Sequence, residues 1–339
     1  YPDSVRMEVA GDFCLSGPGG DLRVIENGTR WDVGGCGILL TNRWPVTLRV
    51  SGTVPSLKVG GDLVVSNRAI LHVFSAAETA AGSTNLGASV QVVGDLVVAD
   101  RGCVYPHAHL FSGASPRFDV GGLRIPDASA GMNAVGLGFR GHFNGVVDTA
   151  TPVYPSGKSG GGHGGRGGYR DSTAGGTFDA ADEPEWPGSG GSGNYSSSYP
   201  SRGGGVIRVF ASGDALINGF LRADGANAGS YAGAGAGGTV LLQCRTLNGA
   251  DGVVSVDGGT AVSPDSPGLR GGGGGGGRIA VHFDTAAQAW TPGIRFSANG
   301  GYSQVECGNP GTLWFTDSRF LQPFVIHSGV WSAPDFGTS

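Results

Sequence analysis

A block of the form Val-Gly-Gly-Asp-Leu-Val-Val recurs along this chain, and a recurring block constrains a fold more tightly than composition does. It stands as Val9-Ala-Gly-Asp-Phe-Cys-Leu, Val33-Gly-Gly-Cys-Gly-Ile-Leu, Val59-Gly-Gly-Asp-Leu-Val-Val, Val93-Gly-Asp-Leu-Val-Val and Val120-Gly-Gly-Leu-Arg-Ile. Aligned on Gly11, Gly34, Gly61, Gly94 and Gly121, the blocks lie 23, 27, 33 and 27 residues apart. Each interval matches one coil of a parallel β-helix, with a strand such as Ser56-Leu-Lys-Val ending at the glycine turn. A second strand such as Leu63-Val-Val follows, and a third such as Ile70-Leu-His-Val completes the coil. One coil cannot bury its own apolar face, so neighbouring coils must stack.

A second set of repeats begins after residue 205. Glycine tracts run into apolar strands at Gly205-Val-Ile-Arg-Val-Phe, Gly238-Thr-Val-Leu-Leu and Gly277-Arg-Ile-Ala-Val-His-Phe. Each leads to a related turn built on Asp224, Asp257 or Asn299, which lie 33 and 42 residues apart. Asp-Gly and Asn-Gly suit turns that demand positive φ. Loops of variable length between strands of fixed pattern map to the outside of such a stack.

Composition agrees with a strand-and-turn protein. The 339 residues include 67 Gly, and Asp, Glu, Lys and Arg reach only 14% against about 25% in ordinary domains. There is no long Gly-X-Y run and Pro numbers only 18, so the chain is not collagen. No stretch of eleven or more residues with apolar positions at i, i+3, i+4, i+7 is free of Gly or Pro, so helix signals are nearly absent. The net charge of −5 and scattered arginines exclude a basic nucleic-acid face. No run of eighteen apolar residues exists, so no membrane span is expected. The five cysteines are widely separated and lack zinc spacing, and small apolar residues stacked in the core are the simplest reading of them.

Between the two repeat sets, residues 136–205 carry little strand pattern. The run Gly161-Gly-His, Gly164-Gly-Arg, Gly167-Gly-Tyr has a period of three, which is that of a polyproline II helix. On that basis His163, Arg166 and Tyr169 are expected to project in one line, about 9 Å apart at ~3.1 Å per residue. With the tracts at Gly188–Gly193, Gly233–Gly238 and Gly271–Gly277, the run is expected to pack as a bundle of extended chains; a flexible Gly/Ser linker is the alternative.

The coils, the tracts entering Gly-Gly-Arg-Ile-Ala-Val and the following Pro310-Gly-Thr-Leu-Trp-Phe resemble glycine-rich β-helix segments of large exported bacterial proteins, over about residues 55 to 316. The resemblance implies an all-β, pectate-lyase-like right-handed parallel β-helix with long glycine-rich loops, at the cell surface or secreted, within a longer polypeptide. That superfamily includes lyases, glycoside hydrolases, adhesins and structural proteins, so it carries no single activity over. The expected organisation is N-terminal coils over 1–135, a glycine-rich insertion over 136–205, C-terminal coils over 206–316, and terminal strands or a further segment over 317–339. Because the last strands show no polar cap, continuation of the chain, a capping partner or end-to-end stacking is expected.

Two groups of residues could carry chemistry. Asp179, Asp182, Glu183 and Glu185 beside Trp186 form the densest acidic cluster. Asp179, Asp182 and Glu185 could act as acid and base on a glycosidic bond, and Asp179, Asp182 and Glu183 could bind Ca2+. The simpler reading is a solvated loop whose acids pair with Arg166 and Arg170. The second group, Tyr105, His107, His109, Arg140 and His142, supplies bases and a cation for a lyase; His107 and His109 are expected to share a strand face. His163, Arg166, Tyr169, Trp186, Tyr195 and Tyr199 are the candidate binding residues. No catalytic motif of a β-helix enzyme matches residue by residue, which weighs against an enzyme. The leading expectation is therefore an extracellular structural or adhesive protein with no cofactor, which self-associates or contacts other surface or matrix components. A carbohydrate-active enzyme on an extracellular polysaccharide, or a carbohydrate-binding module, is the alternative.

Overall fold

A computed structural model of the chain describes residues 6–9, 13–15, 23–25, 30–33, 38–40, 45–49, 56–76, 85–143, 155–193, 201–262, 270–320 and 328–334. These residues are essentially all-β. Every registered strand pair among them is parallel, an arrangement compatible with a parallel β-helix.

Apart from the short pair His142–Phe143 and Ser192–Gly193, the described strands fall into three rows. The first runs through Arg6–Val9, Arg30–Val33, Ser56–Val59, the first part of Leu86–Val98, the first part of Ser115–Ile125, Val206–Ala211, Thr239–Cys244, Arg278–Phe283, Thr312–Phe315 and Val330–Ser332. The second takes Phe13–Leu15, Ile38–Leu40, Leu63–Val65, the remainders of the two long strands, Ala215–Ile217 and Leu247–Asn248. The third is a separate sheet from Arg23–Ile25 through Pro45–Arg49, Ile70–Phe74, Cys103–His107, Gly131–Asn133, Phe220–Arg222 and Val253–Ser255 to Arg295–Ser297.

Alternation along each strand decides which side chains face inward. In the first row Val90, Phe118, Val209, Leu242, Val281 and Phe315 stand opposite one another in successive repeats, all buried. The third row supplies a matching column of Leu71, Val104, Met132, Leu221, Val254 and Phe296. The second adds Leu63, Leu96, Leu123, Ala215 and Leu247. Burying each large member is worth about 1.5–3 kcal/mol, so the core is continuous along the stack. Cys244 sits in this interior as a free thiol, pushed up to about 12 by burial; Cys103 is a buried free thiol beside Tyr105 on the other face of its strand, pushed up to about 11 by burial, and Cys307 is an exposed free thiol.

The glycine tracts are joined to one another by backbone hydrogen bonds spaced three residues apart in both partners. Gly272 and Gly275 donate to Lys158 and Gly161; Ala234 and Gly237 donate to Gly272 and Gly275. Gly233 and Ala236 donate to Ser192 and Ser189, and Gly308 and Gly311 donate to Gly301 and Ala298. A β-ladder repeats every two residues, so this spacing belongs to chains with three residues per turn. The approach is closer than any side chain allows: a Cβ on Gly274 would strike the Gly235 carbonyl, and one on Gly308 would strike that of Gly274.

The expected single line of His163, Arg166 and Tyr169 is not what forms. Lys158 and Gly161 run in the same direction as Gly272 and Gly275, but Gly165 and Gly168 donate to Gly276 and Gly273 in the opposite direction. The chain therefore reverses at His163–Gly165, where the His163 amide donates to the Gly165 carbonyl at 3.0 Å. His163 is consequently buried while Arg166 and Tyr169 are exposed.

Candidate functional site: the outward face of the first row

The outward positions of the first row form two columns, the first mixed and the second polar and aromatic. One column holds Arg208, Leu241, Ala280 and Trp314; the next holds Asp119, Phe210, Gln243 and His282. Thr239, Arg278 and Thr312 flank the first column on the side nearer the glycine tracts.

Residues 178–186, which include the acidic cluster, lie as a strap across this face. Arg278 donates from Nε and Nη2 to the Phe178 carbonyl at 2.9 and 2.8 Å, and from Nη1 to Thr312 Oγ1 at 2.9 Å. His282 Nε2 donates to the Asp182 carbonyl at 2.8 Å, and Thr239 Oγ1 to the Trp186 carbonyl at 2.7 Å. Arg208 pairs with Glu185 at 3.9 Å and donates to the Asn85 carbonyl at 3.1 Å. Burial lowers the pKa of both arginines, Arg208 and Arg278.

Asp179 organises the strap. Its Oδ2 accepts the amides of Glu185 and Trp186, each at 2.9 Å, and Oδ1 accepts the amide of Ala180 at 2.9 Å. Burial works against its charge, but the bond and charge of His163 and the amides of Trp186 and Ala180 outweigh it, leaving the carboxyl below its ordinary range. His163 Nε2 lies 3.3 Å from Asp179 Oδ2, while Nδ1 faces the carbonyls of Gly237 and Gly238 at 3.1 and 3.2 Å. A ring protonated on both nitrogens satisfies all three acceptors. The pair thus joins the strap to the glycine tract that leads into Thr239–Cys244.

The acidic loop is therefore held by bonds other than those expected from sequence. Asp179 engages His163, Glu185 faces Arg208, and Arg166 bonds Glu306 at 2.7 Å instead. Arg170 lies against Asp171, which also pairs with the buried Lys158 at 2.9 Å. Asp182 and Glu183 are exposed. Trp186 stacks with Phe139 at 6.2 Å, which places its ring against the strand-to-tract junction. Among the described residues no three His, Cys, Asp or Glu side chains come together as a metal-holding group.

Of the second candidate group, His109 and Arg140 come together around Phe111, while His107 stands on its strand and His142 lies in a separate short pair. The strand ends at His107, so His109 does not share the strand face; His109 Nδ1 instead accepts from the Ser112 amide and lies 3.0 Å from its hydroxyl. Arg140 covers Phe111 at 4.2 Å, beside the tilted His109–Phe111 pair. His142 is buried in a short strand, His142–Phe143, paired with Ser192–Gly193. His107 meets residues that sequence reasoning did not single out: it stacks on Phe74 at 3.9 Å and reaches His72. Tyr195 and Tyr199 lie outside the described residues.

Beyond the strap, the second column floors a shallow groove that crosses successive strands. One part, about 560 Å3, is lined by Arg117, Asp119, Phe210, Ser212 and Gln243. The other, about 370 Å3, shares Ser212 and Gln243 and continues past Arg245, His282 and Asp284. Arg117 is oriented by a two-oxygen bond to Asp119 and covers the Phe210 ring at 4.0 Å. A carboxylate, an aromatic face, an amide and an imidazole thus stand along one line. The alternation in Val206-Ile-Arg-Val-Phe and Arg278-Ile-Ala-Val-His-Phe is the signal that could have placed Arg208, Arg278 and His282 outward.

No helix among the described residues is long and apolar enough to cross a membrane. No known protein family, curated protein or solved structure matches the chain.

Proposed function

We propose that the chain is a rigid structural or adhesive module of an extracellular or cell-surface protein. In this reading the three rows close into a right-handed parallel β-helix, and the glycine tracts form a polyproline-II-like bundle packed on its flank. The observation that carries the proposal is the three-residue spacing of hydrogen bonds between glycine tracts, because such a bundle gives stiffness without an apolar core. The strap supports it: Arg278, His282 and Thr239 of the first row donate to strap carbonyls and so hold loop to sheet, while the buried Lys158 and His163 pair with acids inside the insertion. Self-association through the ends of the stack or through the glycine-rich loops would turn that stiffness into length. Light scattering and negative-stain imaging of the purified chain test the reading. Rods that lengthen with concentration are expected; a monodisperse particle at all concentrations removes the self-associating part.

A second reading, a carbohydrate-active or carbohydrate-binding protein, is favoured by the groove of Asp119, Phe210, Gln243 and His282, whose chemistry suits hydroxyl-rich ligands. Assay of a polysaccharide panel for new reducing ends or unsaturated products separates the two readings. Turnover lost in Asp119→Asn would establish the enzyme.

A further inference from the structure

On the side away from the strands, the glycine tracts end in a rim. The tracts leaving Val253–Ser255 and Arg295–Ser297 reach it at Val262 and Tyr302, where Ala261 bridges Ser303 and the Ala261 amide donates to the Tyr302 carbonyl at 2.9 Å. The chain turns there, with the Val305 amide donating to Ser303 Oγ at 3.0 Å, and re-enters as the tract that leads to Thr312–Phe315. On the neighbouring segment Gly165 lies against the Asn309 carbonyl and Gly168 against that of Glu306, so the two run antiparallel and Tyr169 falls level with Val305. Tyr169, Val262, Tyr302 and Val305 thus share one rim, each of them 38–57% exposed.

We infer that this rim is the surface on which a second copy of the chain docks, pairing two molecules side by side about a two-fold axis. The inference rests on the self-associating reading above and names its surface, the flank of the glycine bundle. Single apolar side chains scattered over a surface are ordinary, but a contiguous set marks an interaction site. Tyr169 and Tyr302 are also unspent: among the described residues neither ring stacks on another and neither hydroxyl has a hydrogen-bond partner. Tyrosine gives an interface a rigid apolar face and a polar tip at little cost in side-chain freedom. Charge narrows the choice of partner. Arg166 pairs with Glu306 at 2.7 Å, and Lys158 and Arg170 both meet Asp171, at 2.9 and 3.1 Å. These groups answer one another within the chain, so they offer no unpaired charge to an ionic partner, and two copies meet here without the repulsion that a net charge of −5 sets up elsewhere. A two-fold operator sets one patch against itself, so no complementary surface is needed on another part of the molecule; Tyr169 of one copy then meets Val262 and Tyr302 of the other.

Sedimentation velocity of the full chain over a concentration series, with negative-stain imaging, tests the surface. A dimer that dissociates on dilution is expected, seen as particles paired along their flanks without added length. Tyr169→Ser and Tyr302→Ser remove no internal side-chain contact, so their thermal melts should match the wild type, and each should weaken pairing roughly tenfold or more, as truncation of an interface tyrosine does. Val93→Ser, exposed on strand Leu86–Val98, should leave pairing unchanged. The exposed Cys307 thiol stands on the same rim, so a short bis-maleimide should link two copies and Cys307→Ser should abolish the link. Pairing that survives the two tyrosine substitutions combined overturns the assignment. Rods that lengthen without pairing overturn the rim and leave self-association standing, whereas a monomer at every concentration overturns both. Retention of that monomer on immobilised mannan, lost in the same tyrosine variants, would give the rim to a sugar instead.

Discussion

The backbone amide of Asp257 donates to Asp224 Oδ1 at 2.7 Å, so the turn of one repeat is capped by the carboxylate of the repeat before it. The relationship recurs: Asn299 donates its amide to Asp257 Oδ1 at 2.6 Å, and Asp95 donates to Asp62 Oδ1 at 2.7 Å. Parallel strands align equivalent turns directly above one another. A short carboxylate at that turn therefore finds the next repeat's amide within reach, and the turn column becomes a ladder.

Replacing Asp224 with Ala leaves the Asp257 amide and the Ser255 hydroxyl without their acceptor. Because the site is mostly buried, the expected loss is about 1–3 kcal/mol, measurable by urea denaturation. Burial raises the Asp224 pKa despite these bonds. A raised acid favours folding in its protonated form, so its contribution is greatest below about pH 4 and declines as pH rises through the raised value. Asp224→Asn should remove that slope.

Asp179 has the opposite sign. Its folded pKa is lowered, so its contribution is present above the ordinary range near pH 4 and is lost as pH falls through the lowered value. Asp179→Ala leaves His163 buried with one ring nitrogen unanswered and frees the Glu185 and Trp186 amides. A cost of about 3–5 kcal/mol is expected, together with easier acrylamide quenching of Trp186. Wild-type quenching in the variant would show that the strap is held without this pair.

Gly308→Ala drives a methyl group onto the Gly274 carbonyl, whereas Gly229 has open space around it. Overpacking of this kind costs about 1–3 kcal/mol and sometimes more. Gly229→Ala should be neutral or stabilising by a few tenths to about 1 kcal/mol. Thermal melts of the pair compare backbone contact with loop; equal shifts would mean that Gly308 does not sit against another chain segment.

Phe118 fills the interior column between Val90 and Val209, fully buried. Phe118→Ala should cost about 3–5 kcal/mol. Val93, in the same long strand as Val90, is 76% exposed where the strand leaves the first row. Val93→Ala should change stability by less than about 0.5 kcal/mol. A large effect at Val93 would indicate that its surface is covered in solution.

Much of the repeat architecture was legible because period and register are local properties. Of the glycines aligned from the blocks, Gly61, Gly94 and Gly121 stack, with the Gly94 amide on the Gly61 carbonyl at 3.0 Å, while Gly11 and Gly34 lie outside the described residues; the Asp224, Asp257 and Asn299 spacing marks the observed ladder. The contacts that place the strap were not legible. Arg278 meets Phe178 and His282 meets Asp182 across 100 residues, and no spacing rule links a loop to a strand face so distant in sequence. The period of three in the glycine run suggested its conformation but concealed the reversal at His163–Gly165. That reversal depends on where two other tracts offer carbonyls and amides, and it alone decides that His163 goes inside and Arg166 outside. His72 was passed over because its partner His107 is a diagonal neighbour in the next repeat, visible only once the 33-residue register is set.

The central claim is that the glycine tracts are bonded structure and not linkers, and hydrogen exchange over residues 271–277 tests it most directly. Each amide from Gly272 to Gly277 has a named backbone acceptor on another segment, so exchange slowed by several orders of magnitude, and comparable to that of strand Arg278–Phe283, is predicted. Exchange of these glycines at the rate of a free chain, while the strand stays protected, would contradict the account.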